Sequence, residues 1–133
     1  MLLTARSVLR RVFIAVAFLL ASVSAQAAGQ RPFDAKAFQA AQASGRPILV
    51  EIHADWCPTC KAQLPILNKL SGEPGFANLA RFRVDFDSQK DVVKGLGART
   101  QSTLVLFKGK TELARSVGET SEDKIRAMLS KAI

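Results

Sequence analysis

The feature that most narrows the fold is a run of apolar and β-branched residues leading straight into a pair of cysteines. Pro47-Ile48-Leu49-Val50-Glu51-Ile52-His53-Ala54 reads as a buried central strand, and Asp55-Trp56-Cys57-Pro58-Thr59-Cys60 follows with no linker. Beyond the cysteines, Leu64, Leu67 and Leu70 fall three apart, the interval of a helix face, and Pro65 predicts a kink in that helix. Strand, thiols and helix in immediate succession place the first sulfur at a helix N-terminus. Unpaired backbone N–H groups and the helix dipole favour negative charge there.

The rest of the chain supplies a sheet and its cover. Asp34 is a plausible N-cap for a helix reaching about Ala43, with Gly45 ending it. Phe82, Val84 and Phe86 alternate with Arg83 and Asp85 as a strand does, and Ser88 to Leu96 carries a helical stripe of Val92, Val93 and Leu96. Thr103 to Phe107 is a further strand, turned by Lys108-Gly109-Lys110 into another from Glu112 to Val117. Thr120 and Asp123 are spaced as a capping box before a final helix through Ile125, Met128, Leu129 and Ala132. Strands linked first through helices and then by a hairpin predict an α/β fold, a central mixed sheet of about four strands flanked by helices.

The first residues read as an export signal. Arg6, Arg10 and Arg11 precede an apolar run from Val12 to Val23, and Ala25-Gln26-Ala27 offers a cleavage site. The expected division is a signal peptide over 1–27 and one domain over 28–133, with a periplasmic destination. Removing 1–27 takes away three of the 19 Lys and Arg and none of the 11 acids, which leaves a domain of net charge +5. Its cations are scattered and lack interleaved aromatics, which argues against nucleic acid and is compatible with acidic protein partners.

Cys57 and Cys60 are the only two cysteines. A bridge between residues three apart closes too small a loop to restrain an unfolded chain much, so its value is chemical. Cys57 is then the attacking thiolate and Cys60 resolves the mixed disulfide from within the same turn. A structural zinc site is poorly supplied, because His53 is the only histidine and no second cysteine pair exists.

From about Phe33 onward the chain resembles the thioredoxin family. The resemblance rests on Ile48-Leu49-Val50-Glu51, Ala54-Asp55-Trp56-Cys57, Lys61, Pro65, the strand Thr103 to Lys108, and Gly118. It implies a thioredoxin-like fold and a redox-active disulfide Cys57–Cys60, with no further cofactor and no metal. It implies catalytic roles for Cys57, Cys60 and Glu51, the last as a buried proton acceptor for Cys60 rather than a water-facing strand-end acid. It also implies a substrate surface at Trp56, Pro58, Ser102 and Thr103. Two residues depart from the family pattern. Pro58-Thr59 replaces the usual Gly-Pro between the cysteines. Ser102 stands where the family has a cis-proline, and because a non-proline cis bond costs roughly 2.5–4 kcal/mol, Gln101–Ser102 is predicted to be trans. The Ser102 hydroxyl is a candidate donor to Cys57, or loss of the proline ring opens the thiolates to metal. Lys61 is a candidate electrostatic neighbour of the thiolate, and His53 either packs beside Trp56 or adds a third ligand to a metal held by the cysteines.

The functional expectation is a monomeric oxidoreductase exchanging disulfides with protein substrates, with reduction the favoured direction. A periplasmic reductant needs an electron source, and a membrane-embedded thiol carrier is the expected partner. The alternatives are a copper-binding chaperone, or a maturation factor for metalloproteins or cytochromes, using the same thiols.

Overall fold

The computed structural model describes residues 29–133, so the expected signal over 1–27 lies outside the described residues. Five strands form one sheet in the order β1-β3-β2-β4-β5. They are β1 (Arg31–Pro32), β2 (Pro47–His53), β3 (Ala80–Asp85), β4 (Thr103–Lys108) and β5 (Thr111–Val117). β2 is central, parallel to β3 and antiparallel to β4. The sheet is thus mixed, as expected, with one more strand. β1 is two residues long and contains a proline, which leaves no alternation for a sequence to display.

Among the described residues four α-helices cover the sheet: α1 (Ala35–Ala43), α2 (Pro58–Ser71), α3 (Lys90–Gly95) and α4 (Glu122–Leu129). Asp34 caps α1 by accepting the Ala37 amide at 2.8 Å. α2 runs unbroken through Pro65. α3 is shorter than its apolar stripe suggested. The cap of α4 is Ser121, whose hydroxyl accepts the Lys124 amide, and not Thr120. The expected Thr120–Asp123 capping box does not form, and the cap is a single bond one residue later.

The alternation of β2 divides the core in two. Ile48, Val50 and Ile52 face α1 and α3, packing with Phe82, Val84, Val93 and Val105. Leu49 faces the other way, with Leu67 and Leu70 of α2 and Ile125 and Leu129 of α4. Phe38 meets Phe33, Phe82 and Phe107 at centroid distances of 5.3, 5.7 and 5.6 Å. Pairs of this kind add about 0.5–1.5 kcal/mol each beyond burial. They clamp the segment around Phe33 onto the sheet and so hold Gln30 near β2.

Candidate active site

β2 ends at His53, and the chain turns through Ala54, Asp55 and Trp56 to deliver Cys57 as the N-cap of α2. Pro58 occupies the first helical turn, where its missing N–H costs nothing and its φ suits the helix. The Cys57 sulfur takes the place of a capping oxygen and accepts the Cys60 amide at 3.1 Å. Both cysteines are free thiols, each only 2% exposed, packed with Ala54 and the ring of Phe86.

The two thiols are not equivalent. Burial pushes the Cys60 thiol up to about 11, and a hydrogen bond to the Cys57 sulfur adds to the rise. The backbone N–H groups of Ala54 and Ser102 oppose it. Cys60 therefore keeps its proton at neutral pH. Cys57 differs in having an amide aimed at its sulfur and a helix N-terminus behind it.

Glu51 is 5% exposed, which rules out the water-facing alternative. Its carboxylate is not free, however. Arg81, itself 2% exposed, donates from Nε to Oε1 at 2.6 Å and from its second terminal nitrogen to Oε2 at 3.1 Å, and Gln30 also donates to Oε2. Arg81 further bonds Asn68 and Ser71 of α2, each at 2.9 Å. No hydrogen bond joins Glu51 to Cys60 among the described residues. Arg81 is the residue that sequence reasoning missed. It sits inside Leu79-Ala80-Arg81-Phe82, and a cation flanked by apolar residues in the strand that follows one carrying a lone acid was the available signal.

The Gln101–Ser102 peptide is trans, and Ser102 has φ of 56°, the left-handed region. The Ser102 carbonyl accepts the Gly118 amide at 2.9 Å and the Gln63 side chain at 3.2 Å, which ties the loop to β5 and α2. Its hydroxyl donates to the Gln101 carbonyl at 2.6 Å and not to Cys57. The backbone N–H of Ser102, which a proline lacks, is one of the groups that hold the Cys60 thiol down against the effect of burial. The Thr103 hydroxyl donates to the Thr100 carbonyl at 2.8 Å. Ser102 and Thr103 are both buried, so they shape the loop rather than present side chains.

Trp56 stands 57% exposed beside the thiols, its indole N–H held by Asp87 at 2.7 Å. Pro58 is exposed next to it. Lys61, in the first turns of α2, is also exposed. His53 is buried, with Nε2 3.2 Å from Asp55. Burial lowers its pKa, Arg83 lowers it further, and Asp55 partly offsets both. Among the described residues no three of His, Cys, Asp and Glu converge as metal ligands, so His53 does not complete a site with the cysteines.

Comparison with known proteins agrees with this geometry. The Thioredoxin family profile matches residues 30–131. A thioredoxin of Chlamydia muridarum is 33% identical over 84 residues, covering 63% of this chain and 80% of the relative. Thioredoxin C-2 of Corynebacterium nephridii is 33% identical over 88 residues, covering 65% and 80%. The crystal structure of Trxlp from Edwardsiella tarda superposes with a TM-score of 0.74 at 42% identity, covering 76% of this chain and 98% of that one.

Proposed function

The chain belongs to the thioredoxin family and is a dithiol–disulfide oxidoreductase acting on protein disulfides, and from that premise we propose that it works as an exported monomeric reductase. The observation that carries the mechanism is the pairing of Cys57, the N-cap sulfur that accepts the Cys60 amide, with a Cys60 whose proton is firmly held. Cys57 as thiolate attacks one sulfur of a client disulfide. A Cys57–client disulfide forms and the other client sulfur leaves as thiolate. Cys60 then loses its proton and attacks the Cys57 sulfur, which closes Cys57–Cys60 and expels the second client thiolate. Two electrons pass to the client, whose two thiolates are protonated by the proton released from Cys60 and by one from solvent.

Trp56 and Pro58 supply the exposed rim that the client meets, while Ser102 and Thr103 shape the opposing loop. Glu51 is assigned the Cys60 proton, with one oxygen giving up its Gln30 or Arg81 partner as it does so. The export signal supports a periplasmic setting, and there the spent disulfide is returned to dithiol by a membrane-embedded thiol carrier.

Two measurements on one protein test the reading. A Cys60→Ser variant accumulates a mixed disulfide through Cys57, seen by mass spectrometry after mixing with a disulfide-bonded protein. Equilibration of the Cys57–Cys60 couple against glutathione gives a potential at or below about −250 mV, near the range of reducing thioredoxins. A value near about −120 mV, the range of strong oxidants, would overturn the reductive direction.

A further inference from the structure

An open cleft of about 440 Å³ lies between α3 and the loop that leads to Ser102. Buried Val93 and Ala98 and half-buried Phe86 form its apolar base, and Lys90, Lys94 and Arg99 supply its charge. Phe86 is shared with the site, since the same ring packs on Cys57 and Cys60. The cleft is therefore separated from the buried thiols by this ring.

Its three cations are unspent. None of them makes an ion pair or a side-chain hydrogen bond among the described residues, and Lys90 Nζ is instead poised 5.4 Å from the centroid of Phe86. Elsewhere, Arg81, Arg83, Arg115 and Arg126 are each matched to a carboxylate. No carboxylate is among the residues that line the cleft. Asp87 holds the Trp56 indole, Asp55 holds Arg83, and Asp85 accepts from Ser88. Asp87 and Asp91 line an adjoining hollow that Lys90 shares, whereas Lys94 and Arg99 line this cleft alone. The result is an apolar floor lined by three cations and no carboxylate, one ring away from the thiol cluster. Such an arrangement favours a negatively charged partner and disfavours a positively charged one.

We propose that this cleft selects clients by charge, taking the acidic flank of an extended client segment onto Lys90, Lys94 and Arg99 while its disulfide meets Cys57. The proposal rests on the exchange reading above and names the substrate class of that site. The apolar base receives a side chain of the same segment, so an acidic stretch carrying an aliphatic or aromatic residue is the best fit.

The test uses the purified full chain, with dithiothreitol returning the disulfide to dithiol. Three cystine peptides of one sequence differ only in Asp, Asn or Lys beside the cystine. The wild type shows a kcat/KM roughly tenfold higher on the Asp peptide than on the Lys peptide. The gap closes as salt rises from 0.1 M to 1 M and the screening length falls from about 10 Å to about 3 Å. In a Lys90→Gln, Lys94→Gln, Arg99→Gln variant the preference flattens, and with Glu at the three positions it reverses. The preference is a ratio measured within each protein, so a general loss of activity cancels, and urea unfolding checks that each variant folds. A wild type that treats the Asp and Lys peptides alike, or variants that keep its ratio, overturn the charge proposal alone. Failure of the wild type to reduce neutral 2-hydroxyethyl disulfide overturns the exchange reading beneath it.

Discussion

Arg81 grips both carboxylate oxygens of Glu51, at 2.6 and 3.1 Å, beneath the helix that carries the cysteines. Burying two charges is costly in itself, and the pair holds only because each is matched by the other and the remaining donors reach Asn68 and Ser71. Breaking one side leaves an uncompensated charge in the core. Arg81→Met is expected to destabilise the protein by about 3–5 kcal/mol. Glu51→Leu combined with Arg81→Met recovers most of that loss. Urea unfolding of the single and double variants checks both statements.

The same pair makes the proton role of Glu51 separable from its structural one. With the Cys60 thiol pushed up to about 11, closure of the disulfide at pH 7 needs an acceptor. Glu51→Gln is expected to slow release of a preformed Cys57 mixed disulfide severalfold at pH 7. The deficit should shrink as pH approaches 11, where Cys60 ionises without help. A loss of stability with an unchanged release rate at pH 7 would confine Glu51 to the ion pair.

Ser102 gives a sharper probe of the loop. At φ of 56° a serine carries a strain of about 1 kcal/mol that glycine does not, so Ser102→Gly offsets part of its own entropic cost and keeps the N–H facing Cys60. Ser102→Pro removes that N–H and forbids a positive φ. The N–H lowers the Cys60 pKa, so its removal shifts the pH dependence of disulfide closure to higher pH. The inflection in Ser102→Pro is expected above that in Ser102→Gly, followed by the quenching of Trp56 fluorescence on closure. Coincident inflections would remove Ser102 from the electrostatics of Cys60.

His53 predicts how stability depends on acid. Its pKa lies below 6.5 in the folded chain because it is buried, so the unfolded chain binds a proton more readily. The stabilisation by a neutral His53 is complete above the unfolded value and is lost as pH falls through the folded one. The unfolding free energy should drop as pH is lowered from 6.5, and His53→Gln should flatten that part of the profile. An identical slope in the variant would place the titration elsewhere.

Much of the fold was legible because its signals are local. The alternation around Phe82 and Val84, the apolar run of β2, the turn at Gly109 and the Asp34 cap each depend on a few neighbouring residues. The misreadings were also local in origin. β1 is too short to show a period, and Thr120 and Ser121 offer hydroxyls one residue apart, of which only that of Ser121, immediately before the helix, caps it. In the site, Cys57 and Cys60 were readable from spacing alone. The partner of Glu51 was not, because 30 residues separate it from Arg81 and only the parallel register of β2 and β3 brings them together.

The sequence by itself determined that two thiols stand at the start of a helix behind a buried strand, since strand, cysteines and helix are continuous in the chain. Only the tertiary structure decided what surrounds them. Glu51 is held by an arginine from the next strand, and Ser102 offers the sulfur an amide instead of its hydroxyl. Phe86 joins the thiols to a cationic cleft. Each of these relations crosses between elements far apart in the chain. Charge, hydrogen bonding and burial act through space, and residue spacing records them only where the chain itself is the shortest path.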